Sequence, residues 1–259
     1  MLPYFELFGR TIPMYGLCIL IGVFAASFVM VRGCMKKGLL WENAVIIGVS
    51  GLGIGMIGAK LLYLLTAFRQ EGLAEAVHDG QFDALLNGGF VFYGGLLFGI
   101  IGAFLGARIA QVKMRSYENT LLLLIPLVHA FGRIGCFCAG CCYGKPTNSI
   151  FCIAFYNPIS DAPVGVPLIP VQLMEAAMNV ILFLILYFIE KKYPNNRLLT
   201  PIYLFAYAVQ RFALEYLRFD AIRGTFLALS TSQWISAVVF VVAVALVFYR
   251  LRFEKERRT

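Results

Sequence analysis

Charge is scarce in this chain. Asp, Glu, Lys and Arg make up 14% of its 259 residues, where a soluble domain carries about 25%. Hydrophobic residues reach 60% and the mean hydropathy is +0.80. A soluble globular protein is thereby excluded, and no stretch between the apolar runs is left over for a separate soluble domain. Also missing is a basic start and small-residue cleavage site around the first apolar run, which leads instead into a basic cluster; that run is expected to stay in the mature chain. A second pair of metal-type ligands is lacking too. Four of the seven cysteines crowd into one segment, and Cys18, Cys34 and Cys152 are scattered.

What is present is a series of apolar runs near the ~20 residues needed to cross a bilayer: Met14 to Val31, Asn43 to Leu65, Gly88 to Ala110, Asn119 to Cys136, Val171 to Ile189, Leu199 to Leu217 and Ser232 to Tyr249. The expectation is an all-α polytopic membrane protein of about seven transmembrane helices, a single integral membrane domain over residues 1–259. Fourteen lysines and arginines lie at one set of span ends, among them Arg32, Lys36, Arg108, Lys113, Lys191 and Arg250, and five lie at the opposite ends. Basic clusters mark the cytoplasmic side, so the N-terminus is expected outside and the C-terminus in the cytoplasm. The net charge of +8 then reflects topology and attraction to anionic headgroups, and gives no reason to invoke nucleic acid.

Two segments are more than connections. Residues 66–87 set Leu73, Val77 and Phe82 among charges, which suggests an amphipathic arm on the outer face. Residues 137–170, rich in cysteine, glycine and proline, suggest a small extracytoplasmic cap, with an apolar alternation over Ile150 to Tyr156 that reads as a short strand.

Gly51, Gly55 and Ala59, and Gly95, Gly99, Gly102 and Gly106, have the small-xxx-small spacing of closely packed membrane helices. Tyr93, beside Gly94 and Gly95 near an outer helix end, reads either as an interfacial anchor or as a substrate contact. Ionisable groups within spans are costly and persist when paired or functional. His129 and Arg133 share a helical face four residues apart. Arg211, Glu215 and Arg218 share another, and Gln172 and Glu175 open the fifth span. Two readings stand: internal salt bridges, Arg211 with Glu215 or Arg133 with Glu175, or a cationic chamber whose guanidinium forks hold a lipid phosphate. For Cys136, Cys138, Cys141 and Cys142 the readings are a metal site, a redox pair Cys138–Cys141, or small apolar residues with a structural disulfide. The lack of a second ligand pair favours the last, with no metal and no cofactor.

The stretch GRIGCFCAGCCYGKP, Gly132 to Pro146, resembles the signature of the bacterial prolipoprotein diacylglyceryl transferases, G-R-x-G-N-F with a later glycine. Further matches follow the same order: MYGL at Met14 to Leu17, YGGLLFG at Tyr93 to Gly99, PVQLMEA at Pro170 to Ala176, RFALEYLR at Arg211 to Arg218 and STSQWIS at Ser230 to Ser236. The resemblance implies transfer of an sn-1,2-diacylglyceryl group from phosphatidylglycerol to the lipobox cysteine of a prolipoprotein, in the bacterial cytoplasmic membrane. It also implies phosphate-binding roles for Arg133 and Arg211. Tyr15 and Tyr93 would line the site with Gly94 and Gly95, Glu215 and Arg218 would support it, and Gly135 and Gly144 would shape its loop. The chain departs from the pattern at three places. Cys136 replaces the signature asparagine, Cys141 an acidic residue, and Tyr93 the histidine that commonly precedes the paired glycines. His129 is the histidine expected to compensate as a base. The alternatives are a non-catalytic paralogue that binds lipid or lipoprotein peptide, and a membrane thiol oxidoreductase.

Overall fold

The computed structural model describes residues 3–7, 10–67, 91–160, 162–219, 225–226 and 229–256. The chain order is β1 (Tyr4–Leu7), β2 (Arg10–Pro13), α1 (Met14–Lys36), α2 (Trp41–Ala67), α3 (Phe92–Ile109), α4 (Met114–Ala139), β3 (Ile153–Ala154), β4 (Pro167–Leu168), α5 (Val171–Lys192), α6 (Leu199–Glu215), β5 (Thr225–Phe226), β6 (Leu229–Ser230) and α7 (Thr231–Glu256). The fold is mostly helical, and each of the seven apolar runs falls on one helix. Five of these helices, α1, α2, α4, α5 and α7, are long and apolar enough to cross a membrane, and Tyr93–Ile109 is a shorter apolar helix. Helix α6, at 17 residues, is also short, about 25 Å at 1.5 Å per residue. It is the helix that carries Arg211 and Glu215.

Most of the expected arm lies outside the described residues; Thr66 and Ala67 end α2. At the other segment α4 continues through Cys136 to Ala139 before the chain turns. The short strand read from Ile150 to Tyr156 is realised as β3, which pairs antiparallel with β4 in the register Ile153↔Leu168. Phe155, Ala162 and Leu168 are buried under Phe137, Tyr143 and Val166, so this segment has an apolar core of its own.

The chain divides into two compact units. One holds residues 30–121, the other residues 1–29 and 122–259. Within residues 30–121, α2 and α3 are packed through glycines. A Cβ at Gly55 would stand 3.0 Å from the Gly95 carbonyl oxygen, and one at Gly94 would collide with the Gly58 carbonyl and the Leu62 side chain. Glycine is required at this seam because backbone lies directly against backbone. Lys60, an intramembrane cation, sets its ammonium 5.0 Å from the centre of the Tyr63 ring, a cation–π distance. In the other unit, Leu122, Leu123, Leu182, Leu186, Leu199 and Tyr203 make an apolar core between α4, α5 and α6. Pro126 lies inside α4, where neighbouring helices can shelter the backbone carbonyl left without its N–H partner.

Candidate functional site

Three helices of the second unit converge on one largely buried group of charges. Helix α4 contributes His129 and Arg133, α5 contributes Glu175, α6 contributes Arg211 and Glu215, and Arg218 follows just past the end of α6. The centre is Glu175, 1% exposed. Its Oε2 lies 3.0 Å from Arg133 Nε and 3.9 Å from Arg218 Nη1, and its Oε1 lies 3.3 Å from His129 Nε2. A second pair joins Arg211 Nη2 to Glu215 Oε2 at 2.8 Å, and Arg218 Nε stands 4.0 Å from that same oxygen. Both salt bridges considered from the sequence are therefore formed. They do not exhaust the cations, since three guanidinium groups meet two carboxylates. Moreover, Arg211 Nη1 is buried and has no hydrogen-bond partner among the described residues. The site is thus an ion-pair network with one formal positive charge left over and, at Arg211 Nη1, a buried donor not used within it.

His129 has two neighbours at one nitrogen. Arg133 Nε donates to His129 Nε2 at 3.3 Å, the arrangement of a neutral ring with its proton on Nδ1. The same Nε2 faces Glu175 Oε1, so a proton accepted there finds a carboxylate waiting. The Tyr207 ring lies 5.9 Å from the imidazole and completes its surroundings.

A set of contacts from STSQWIS was not foreseen. Ser230 precedes α7, and its Oγ accepts from the Gln233 backbone N–H at 3.2 Å while Gln233 Oε1 accepts from the Ser230 N–H at 2.9 Å. This is a reciprocal capping box, and S-x-x-Q before an apolar run was the signal that could have revealed it. The same Ser230 hydroxyl donates to Glu215 Oε1 at 2.8 Å, and Ser232 Oγ accepts from Arg211 Nη2 at 3.0 Å. The start of α7 therefore fixes both members of the Arg211–Glu215 pair.

The cysteines gather at the end of α4. Gly140 has φ +77°, and the N–H groups of Gly140 and Cys141 both donate to the Cys136 carbonyl, closing the helix on a left-handed glycine. Cys142 follows with φ +59°, an uncommon conformation for a side chain of its kind. The turn brings the Sγ atoms of Cys136, Cys141 and Cys142 within 4.8 Å of one another. Hydrogen bonds from Cys136 and Cys141, then the charges of Arg218 and Arg133, hold the Cys142 thiol below its ordinary range; the same thiol–thiol hydrogen bonds push Cys141 up. All seven cysteines are free thiols, and Cys138 hydrogen-bonds with Cys18 rather than with Cys141. The C-x-x-C pair of the oxidoreductase alternative is consequently not assembled.

Of the remaining expected residues, Tyr15 lies against Gly135, where a Cβ would stand 3.0 Å from Tyr15 Cδ2. Gly144 presses on Ile169, whose carbonyl oxygen would be 2.6 Å from an added Cβ, and it bridges to Arg218 through the backbone. Gln172 Nε2 donates to the Cys141 carbonyl at 2.7 Å, tying α5 to the cysteine turn. Tyr93, Gly94 and Gly95 belong to the other unit, on the first turns of α3.

Against known proteins, residues 3–249 match the family model described as prolipoprotein diacylglyceryl transferase. The chain belongs to this family. It is 32% identical over 97% of its length to 98% of a Clostridium tetani protein named phosphatidylglycerol--prolipoprotein diacylglyceryl transferase. It is also 32% identical to a Clostridium perfringens protein of that name with the suffix 2, covering 98% of this chain and 96% of that one. A Dehalococcoides mccartyi protein of the same name is 28% identical, with 97% and 94% covered. The motif order recognised in the sequence thus reflects membership along nearly the whole chain.

Proposed function

We propose that this protein transfers the sn-1,2-diacylglyceryl group of phosphatidylglycerol to the lipobox cysteine thiol of prolipoproteins. Family membership supplies the reaction, and one observation carries the site: the buried Arg211 and Arg218 and the partly buried Arg133 face two glutamates, with Arg211 Nη1 unpartnered among the described residues. In the reaction the acceptor sulfur bonds to a glycerol carbon. That carbon's C–O bond breaks, and glycerol phosphate leaves with the electron pair. Arg133 and Arg211 stabilise the charge gathering on the departing phosphate, the role in which fixed donors act most strongly. Glu175 and Glu215 hold them in place, and Arg218 braces both carboxylates. His129 Nε2 takes the thiol proton and turns it toward Glu175 Oε1. Tyr15, Gly135, Cys136, Gly144 and Gln172 shape the approach, and Tyr93 with Gly94 and Gly95 contacts the lipid.

The same reading has the chain crossing the bacterial cytoplasmic membrane seven times, with its N-terminus outside, the C-terminus in the cytoplasm and residues 137–170 as an outer cap. The support is the basic bias at one set of helix ends, with Lys36 closing α1, Arg108 closing α3 and Lys191 and Lys192 closing α5.

The test is transfer by the purified chain in phosphatidylglycerol vesicles, with a lipobox peptide followed by mass spectrometry. A diacylglyceryl mass gain on the cysteine, lost in Arg211→Lys, is expected. Peptide that binds but gains no mass would overturn transfer and leave the non-catalytic reading.

A further inference from the structure

The cysteine turn has more in it than packing. Cys136 stands on the last turn of α4, and Cys141 and Cys142 follow Gly140. The two left-handed residues, Gly140 and Cys142, are what fold the chain back, so that three thiols from seven consecutive positions meet within 4.8 Å. A left-handed conformation at a non-glycine residue costs on the order of 1 to 3 kcal/mol and persists where surrounding structure enforces it. Gln172 enforces it by binding the Cys141 carbonyl, and the Gly144–Arg218 bridge does so on the far side.

We propose that Cys136, Cys141 and Cys142 form a three-thiolate site for a d10 metal ion of the zinc class, with its fourth position open to an external thiolate. Sulfurs bound to one zinc at about 2.3 Å are about 3.8 Å apart, a small contraction of the spacing already present. An odd number of thiols suits a metal better than a disulfide, because any disulfide strands the third. Cys141 and Cys142 are adjacent, and their Cα atoms, about 3.8 Å apart across a trans peptide, are closer than an ordinary disulfide spans. Three thiolates and one divalent ion carry a net negative charge, and Arg133 and Arg218 both act on Cys142 from nearby. All three thiols are only partly buried, which leaves a side for the fourth ligand.

The open position fits the chemistry of the acceptor, and this part rests on the transferase reading. A lipobox thiol that binds the metal gives its proton to His129 or to water, and its sulfur then attacks the glycerol carbon while the phosphate departs. Zinc would be a Lewis acid here, without redox change.

The experiment is titration of the intact chain, purified under reducing conditions in detergent, with zinc and with cadmium. Binding is followed by elemental analysis and by the sulfur-to-cadmium charge-transfer band. One metal per chain is expected, weakened at least tenfold in Cys142→Ser and in Cys136→Ser and unchanged in Cys152→Ser, which lies outside the cluster. Binding no tighter in the wild-type chain than in Cys136→Ser/Cys141→Ser/Cys142→Ser, or a disulfide among the three under reducing conditions, would overturn the site. Transfer to the lipobox peptide is then compared in chelated and zinc-restored protein. A drop of at least tenfold on chelation, reversed by zinc, is expected. Equal rates would overturn the acceptor role and leave both the metal site and the transferase reading standing. Absence of transfer in both forms would overturn the transferase reading and with it the acceptor role, while the titration still decides the site.

Discussion

Arg211 and Glu215, one turn apart on α6, are joined at 2.8 Å, and the arginine still keeps one buried nitrogen without a hydrogen-bond partner among the described residues. A pair formed only for stability would use its donors fully, since a buried polar group left unmade costs about 1 to 3 kcal/mol. The unused donor suits the anion-binding role proposed for this arginine.

Replacing either phosphate arginine should therefore stop transfer. Arg133→Ala and Arg211→Ala are each expected to lower kcat by about 10²-fold or more, and lysine should restore little because it lacks the planar fork. Alanine also leaves a buried carboxylate unpaired, a loss of about 3 to 5 kcal/mol, so membrane-extracted yield and thermal unfolding must be measured alongside. Near-normal kcat in either alanine variant would assign that arginine to structure alone.

Glu175 tests the network from the other sign. It serves Arg133, Arg218 and His129 together, and Glu175→Gln keeps the shape while removing the charge. The variant should unfold at lower temperature, by an amount corresponding to about 3 kcal/mol or more. At permissive temperature its kcat should fall while KM for phosphatidylglycerol changes little, because the positive charge facing the lipid is not reduced. An unchanged melting temperature would mean that the pairing is not structural.

His129 and Tyr93 are separable by pH. The proton acceptor works only when His129 Nε2 is unprotonated, so wild-type kcat/KM should decline as pH falls. His129→Gln should slow transfer by roughly 10² to 10⁴-fold and abolish that acidic decline. Tyr93→Phe should mainly raise KM for the lipid. A silent His129→Gln beside an inactive Tyr93→Phe would exchange the two roles.

The capping box at α7 gives a graded test. Ser230→Ala removes the helix cap, worth about 0.5 to 2 kcal/mol, and also the hydroxyl that holds Glu215. Transfer should fall several-fold with a modest loss of thermal stability. Ser230→Thr keeps the hydroxyl and should recover both. Equal behaviour of the alanine and threonine variants would show that the Glu215 contact is incidental.

The helices and the Arg211–Glu215 bridge were legible in the sequence because each depends on a local period: apolar length for the spans, and a spacing of four for the charges. Glu175 could be paired with Arg133 because few intramembrane charges compete for partners. What stayed hidden depends on chain direction over a few residues. The meeting of Cys141 and Cys142 with Cys136 needs positive φ at Gly140 and Cys142, and cysteine gives no hint of a left-handed conformation. The Cys138–Cys141 spacing instead suggested a pair that the helix separates, since Cys138 is still helical and faces Cys18. The β1–β2 hairpin likewise escaped notice: its residues alternate over only four positions a strand, too few for a period to stand out.

The imbalance of three arginines over two glutamates bears on turnover. A phosphodiester lipid carries one negative charge and would bring the site, with His129 neutral, to electrical balance. The phosphate monoester that departs carries about −1.5 to −2 at neutral pH and overshoots that balance. The surplus cation attracts that dianion more strongly than the monoanionic lipid, so the charges that stabilise the leaving group also hold it back from leaving. The exit step should accordingly quicken as the medium is mildly acidified and the monoester keeps its second proton.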